Sequence, residues 1–128
     1  MTAYGVCDDP EYFYDYVQGL VGGMGAREDA RALLRCVQAR GAGYAISTPS
    51  ELATVQRIAL ATGIILDPVY TGKAVFAFLK EVAEDPAKYQ GKTILFVHTG
   101  GLFGLYEQQG LLETMVAGAG RSERLFKD

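Results

Sequence analysis

The sequence is short of the residues from which metal centres, disulfide frameworks and membrane anchors are made. It has one histidine, His98, and two cysteines, Cys7 and Cys36, without C-x-x-C spacing. A lone histidine leaves no zinc-ligand set to assemble. Two isolated cysteines read as free thiols of a reducing compartment rather than as a disulfide pair. No apolar run approaches the roughly 18 residues that a membrane helix needs. The opening M-T-A-Y-G-V-C-D-D has neither a basic start nor a long apolar core, so it does not read as a signal peptide. Basic residues are not in excess: 12 Lys and Arg stand against 15 Asp and Glu, for a formal net charge of -3. That balance argues against a nucleic-acid partner, which would need a basic face.

Several catalytic signatures are missing too. There is no G-x-S-x-G elbow. There is no phosphate-cradling G-x-x-x-x-G-K-[ST] loop either, since Y-T-G-K at residues 70–73 lacks the first glycine and the spacing. Gly22, Gly23 and Gly25 are not a dinucleotide fingerprint, because no strand is expected before them; they read as a turn. Neither an internal repeat nor a low-complexity segment occurs.

What is present suits one ordinary globular domain: 128 residues, 49% hydrophobic and 21% charged. We expect a single unit over residues 1–128, with a charged tail at 118–128 that frays. Residues 3–7 read as a short buried strand. Asp9 and Pro10 then start a helix by an Asp cap and a first-turn proline, with Phe13, Val17 and Leu20 inward. Tyr12, Tyr14 and Tyr16 lie around it as packing and partly wet surface. Residues 26–39 read as a second helix, with Leu33, Leu34 and Val37 inward and Arg27, Arg31, Arg35 and Arg40 on a solvated side. Residues 41–47, G-A-G-Y-A-I-S, are a loop that presents Tyr44 outward. T-P-S-E at 48–51 is a capping box with proline at the first helical position, and Gly63 stops that helix. Residues 64–66 and 93–97 are continuous apolar runs, as expected of parallel strands covered on both faces. A helix from about residue 72 to 84 lies between them, closed by Asp85-Pro86, and a last helix follows over 102–117. Crossover helices between strands imply a parallel sheet. Three strands are few for an αβα architecture, so the chain reads as a partial open parallel sheet, part of a larger domain or assembly.

The two strand-to-loop junctions carry the candidate site. In an open α/β sheet, ligands bind at loops beyond the carboxyl ends of strands, backed by helix N-termini. Tyr70, Thr71 and Thr99 fall at those ends, side by side if the two strands are neighbours. Asp67 could serve as a catalytic carboxylate, but Asp-Pro after a strand is more often a turn former. Lys73 is expected to reach solvent from the first turn of its helix. Hydroxyls of Tyr44, Tyr70, Thr71 and Thr99 can donate to a ring nitrogen or a carboxylate, and a phenol can pass a proton. By themselves they name no reaction.

At these residues the chain resembles a known family. I-L-D-P-V-Y-T-G-K-A (residues 65–74) and I-L-F-V-H-T-G-G-L-F-G-L-Y (residues 94–106) are similar to the carboxyl-terminal part of D-cysteine desulfhydrases. Those enzymes are close relatives of 1-aminocyclopropane-1-carboxylate deaminases, and both are pyridoxal-phosphate enzymes of the tryptophan synthase β-subunit type. V-C-D-D-P-E-Y-F-Y-D-Y-V (6–17) and G-A-G-Y-A (41–45) resemble the plant-type members. The resemblance implies the second half of the large domain of a fold-type II pyridoxal-phosphate enzyme. It implies that Tyr44 and Tyr70 face a small amino-acid substrate, with Tyr70 a candidate for proton transfer. Thr99, Thr71 and Gly100 become the cofactor-side candidates.

Deaminases carry Glu at the position of Thr71 and Leu at that of Thr99; desulfhydrases carry Thr at both, as here. A neutral hydroxyl at the pyridine nitrogen, that of Thr99, makes the cofactor a weaker electron sink than a carboxylate would. This favours expulsion of sulfide over opening of a strained ring. The Schiff-base lysine and the glycine-rich phosphate loop of the family lie in sequence upstream of what these residues match. The chain alone is therefore expected not to hold the cofactor covalently. It is expected to be the carboxyl-terminal portion of a D-cysteine desulfhydrase or, alternatively, a truncated non-catalytic chain; in either case it is expected to associate with the missing amino-terminal half or with another copy of itself, in the cytoplasm by default.

Overall fold

The computed structural model describes residues 1–107, 110, 111, 113 and 117. The expected tail at 118–128 lies outside the described residues. The architecture is mixed α/β. Strand β1 (Thr2–Gly5) pairs in parallel with β2 (Arg35–Gln38), in the register Thr2 to Arg35 through Gly5 to Gln38. A parallel pair cannot be closed by a tight turn. Here the crossover is made by α1 (Pro10–Gly23) and the single turn α2 (Ala30–Leu33).

Local signals account for most helix ends. The Asp9 side chain accepts from the Tyr12 N–H at 2.9 Å, and Pro10 opens α1. Helix α3 (Pro49–Thr62) carries the full capping box between Thr48 and Glu51, and stops at Gly63 with φ 74°. Helix α4 (Thr71–Glu84) ends at Asp85, whose side chain caps the 3-10 turn Pro86–Lys88. The inward stripe of α1 is displaced from expectation. Phe13 and Val17 are half-buried, Leu20 is exposed, and Val21 is the buried residue. Val75, Phe78, Leu79 and Val82 of α4 are half-buried.

Three expected elements come out differently. The second helix, expected over 26–39, is only Ala30–Leu33, and the chain then becomes strand β2. Short apolar runs fit either period. Four residues' worth of pairing to β1 decides this one, together with a Tyr14 hydroxyl that accepts from the Cys36 N–H at 2.9 Å. Leu34 is buried and Leu33 exposed, the reverse of a shared helical face. Arg35 is not merely solvated: it donates to both carboxylate oxygens of Glu81 on α4, at 2.7 and 2.8 Å.

The apolar runs 64–66 and 93–97 are not strands. No described segment pairs with them, and Leu95 and Val97 stay 87% and 69% exposed rather than covered on both faces. A strand exists only through its ladder, and these runs meet no ladder partner among the described residues. The sheet thus has two strands rather than three. The last helix begins as a 3-10 turn, Leu102–Glu107, with helical residues at 110, 111, 113 and 117.

Buried apolar residues flank the sheet at Val6, Leu34 and Ala39, and a separate cluster lies under α3 and α4. Val55, Leu66, Leu105 and Leu111 form that cluster, with Leu52, Ile58 and Val75 packed against it. Helices α3 and α4 approach closely at Gly72, where a Cβ would lie 2.5 Å from the Asp67 carbonyl oxygen and 2.6 Å from Val55 Cγ2.

Candidate functional site

Asp67 builds the corner on which the site stands. Its side chain is completely buried. Oδ2 accepts from the N–H groups of Val69 and Tyr70 at 2.8 and 2.6 Å. Oδ1 accepts from the Thr71 N–H at 2.8 Å and from the Thr71 hydroxyl at 2.6 Å. Every one of these partners is a donor, so the carboxylate caps the otherwise uncapped start of α4. Asp67 is therefore the turn former. The Thr71 hydroxyl also accepts from the Asp67 N–H at 2.9 Å, so it is committed on both sides. Held this way, Tyr70 projects from the head of α4 with its side chain partly in solvent.

The loop 41–47 brings the second phenol. Gly41 and Ala45 both take positive φ, 62° and 58°, and the chain doubles back through N–H donation from Ile46 to the Gly43 carbonyl. The Ser47 hydroxyl donates to the Pro68 carbonyl at 3.0 Å, fastening the loop to the Asp67 corner. Tyr44 at the tip is exposed, as its glycine neighbours suggested. Its hydroxyl lies 2.5 Å from that of Tyr70, with the rings edge to face at 6.1 Å between centroids. The hydrogen bond to Tyr44, with a smaller part from desolvation, raises the pKa of the Tyr70 phenol.

Beneath the loop lies Lys73. The expectation that it reaches solvent is wrong: it is 1% exposed. Its ammonium donates to the carbonyls of Arg40 (2.9 Å) and Ile46 (2.7 Å) and to the Glu51 carboxylate (3.2 and 3.3 Å). Glu51, also buried, is held ionised: although burial opposes this most, the hydrogen bonds from Thr48 and Lys73 more than offset it, and its pKa falls.

On the other side of Tyr70 opens a largely apolar cavity of about 660 Å³. Residues 1–4 and 93–97 contribute to its walls, and Tyr70, Thr71 and Thr99 share its lining. Thr99 is exposed to that space. Tyr44 and Gly100 are not among the lining residues. Gly100, with φ 93°, instead donates its N–H to His98 Nδ1 at 3.1 Å. That bond leaves the ring proton on His98 Nε2, which donates to the Ile65 carbonyl at 2.9 Å. His98 thus ties the second junction to the first.

No protein-family model matches the chain. Individual relatives do. It is 45% identical, over 121 residues and 94% of its own length, to the mitochondrial bifunctional D-cysteine desulfhydrase/1-aminocyclopropane-1-carboxylate deaminase of Arabidopsis thaliana. The homologues of this chain thus carry the names D-cysteine desulfhydrase and 1-aminocyclopropane-1-carboxylate deaminase. Two further relatives are a putative 1-aminocyclopropane-1-carboxylate deaminase of Thermotoga maritima (36% identity, 77% of this chain) and a D-cysteine desulfhydrase of Klebsiella pneumoniae (42%, 50% of this chain). The chain spans 30%, 31% and 19% of the lengths of these three relatives.

Lys73, Glu51 and His98 connect distant segments; sequence reasoning placed Glu51 in its capping box but foresaw none of the three long-range links. For Lys73 one signal existed. It follows Gly72, a residue small enough to let α3 come close, and that helix opens with the capping-box Glu51. Cys7 and Cys36 are free thiols, and burial pushes that of Cys36 up. Among the described residues no helix is long and apolar enough to cross a membrane, and no group of potential ligands could hold a metal ion.

Proposed function

We propose that these residues form the carboxyl-terminal portion of a pyridoxal-phosphate-dependent D-cysteine desulfhydrase, a lyase converting D-cysteine and water to pyruvate, sulfide and ammonia. One arrangement carries the reading: a phenol pair, Tyr44 and Tyr70, beside a cavity whose lining also holds the neutral hydroxyls of Thr71 and Thr99. The name of the Klebsiella relative supports it.

The residues present fit one side of the cofactor. Thr99 offers its hydroxyl to the cavity with no hydrogen-bond partner among the described residues, which suits a ring nitrogen. Among the described residues no lysine lines the cavity, and Lys73 is fully engaged elsewhere. On this reading the lysine that anchors the cofactor and the loop that binds its phosphate belong to other sequence. Pyridoxal phosphate, when bound, supplies an electron-withdrawing ring that stabilises negative charge on the substrate carbon. Tyr70 enters protonated, since its pKa is raised, and is placed to deliver a proton at its Oη, beside the Tyr44 hydroxyl that is its hydrogen-bond partner. Tyr44 helps bind the substrate. The committed hydroxyl of Thr71 shapes the wall rather than reaching far into it.

The chain's place in the enzyme implies a partner, the rest of the family's polypeptide, within a homo-oligomer. The exposed apolar run 93–97 supports this, being a wall that a further strand would cover. The compartment follows the whole protein; the Arabidopsis relative is named mitochondrial.

A second reading is deamination of 1-aminocyclopropane-1-carboxylate, favoured by the names of the Arabidopsis and Thermotoga relatives. One experiment separates the two. The chain is combined with the remaining portion of the Arabidopsis relative, loaded with pyridoxal phosphate, and offered each substrate. Sulfide from D-cysteine is expected, with none from the chain alone. Ammonia from the cyclopropane substrate without sulfide supports the deaminase, and no product from either overturns the proposal.

A further inference from the structure

We infer that Lys73 and Glu51 are positioning residues that set the distance between the two phenols. The inference rests on the reading above only in taking Tyr44 and Tyr70 as the pair that matters.

An ammonium has three protons to donate, and Lys73 uses them on three different residues. Two go to the carbonyls of Arg40 and Ile46, which bracket the loop whose tip is Tyr44. The third goes to Glu51 in the first turn of α3. Lys73 itself stands three residues after Tyr70, in the first turn of α4. The loop is thus referenced to the same helix end that carries the other phenol, through a linkage one helical turn long. Glu51 closes the arrangement from the far side. One of its oxygens also accepts from the Thr48 N–H at 2.6 Å and hydroxyl at 3.0 Å, so the carboxylate cannot follow Lys73 if the loop shifts.

Stability alone does not call for this pair. The two side chains are 0% and 4% exposed. A buried ion pair is commonly no more stabilising than well-packed apolar residues of the same volume. What apolar residues could not do is gather two inward-turned carbonyls at one point, and the loop needs that because Gly41 and Ala45 bend it with positive φ. Gly41 completes the fit. A Cβ there would lie 2.6 Å from Glu51 Oε1 and 3.2 Å from Lys73 Nζ.

The test is proton NMR on the full chain with labelled tyrosines, reading the ring-to-ring cross-peak between Tyr44 and Tyr70. The Phe78–Tyr89 ring contact, on the other half of α4, serves as internal control. In Lys73→Met the Tyr44–Tyr70 cross-peak should vanish while the control persists. Persistence of both, with only a lowered melting temperature, assigns Lys73 to stability and overturns the inference. If Lys73→Met does not fold, Gly41→Ala decides by the same reading: it keeps both charges and disturbs only their seat under the loop. No catalysis is measured, so a failed sulfide assay leaves this result standing, and a retained cross-peak leaves the enzymatic reading standing.

Discussion

The Oη atoms of Tyr44 and Tyr70 lie 2.5 Å apart although 26 residues separate them. That contact raises the pKa of the Tyr70 phenol, chiefly through the hydrogen bond with Tyr44. Replacing Tyr44 by Phe removes the partner hydroxyl and keeps the ring. Tyr70 should then ionise at lower pH, back toward the ordinary phenol value near ~10. Ultraviolet difference titration comparing Tyr44→Phe with the parent chain reads this directly; an unmoved transition would dissociate the phenols in solution.

Glu81 joins α4 to the sheet. It accepts from Arg35 of β2 and the Tyr4 hydroxyl of β1, and it pairs with Lys88. The Arg35 and Lys88 hydrogen bonds hold its carboxyl far below the usual range, and burial together with Glu81 raises the Tyr4 phenol. A carboxylate whose folded pKa is depressed contributes stability above its unfolded value, near ~4.3, and loses it as pH falls toward the folded one. The parent chain should therefore lose stability progressively below about pH 4. Glu81→Gln should cost about 1–2 kcal/mol at neutral pH, discounted for the exposure of Arg35 and Lys88, and should flatten that acid limb. Urea titrations across pH measure both effects.

Asp67→Asn tests the corner. The two shapes are nearly identical, but each Asp67 oxygen receives only donors. An amide must turn its NH2 against N–H groups in a buried site. A loss of about 2–4 kcal/mol is expected by chemical denaturation, a large effect for one atom exchanged. An unaffected midpoint would remove Asp67 as the cap of α4.

Two glycines should respond with opposite sign to alanine. At Gly72 the new methyl meets a backbone oxygen and Val55, neither of which can step aside, so Gly72→Ala should destabilise by about 1–3 kcal/mol. Gly19 lies inside α1 with nothing near its Cβ direction, so Gly19→Ala should stabilise by roughly 0.5–1 kcal/mol. Paired melts of the two variants check the packing of α3 on α4 against intrinsic helix propensity.

The sequence by itself determined what is decided within one turn of chain. The Asp9-Pro10 start of α1, the Thr48–Glu51 box, the Gly63 stop and the Asp85-Pro86 break all stand where the residues put them, because donor and acceptor are at most four positions apart. The same holds for the Asp67 turn and for the outward Tyr44. Only the tertiary structure decided that residues 35–38 are a strand and that 64–66 and 93–97 are not, since pairing depends on what lies alongside. It alone decided that Lys73 is buried and that Tyr44 reaches Tyr70. A buried charge is legible only from partners 22 to 33 residues away, and nothing in the spacing of the chain names them.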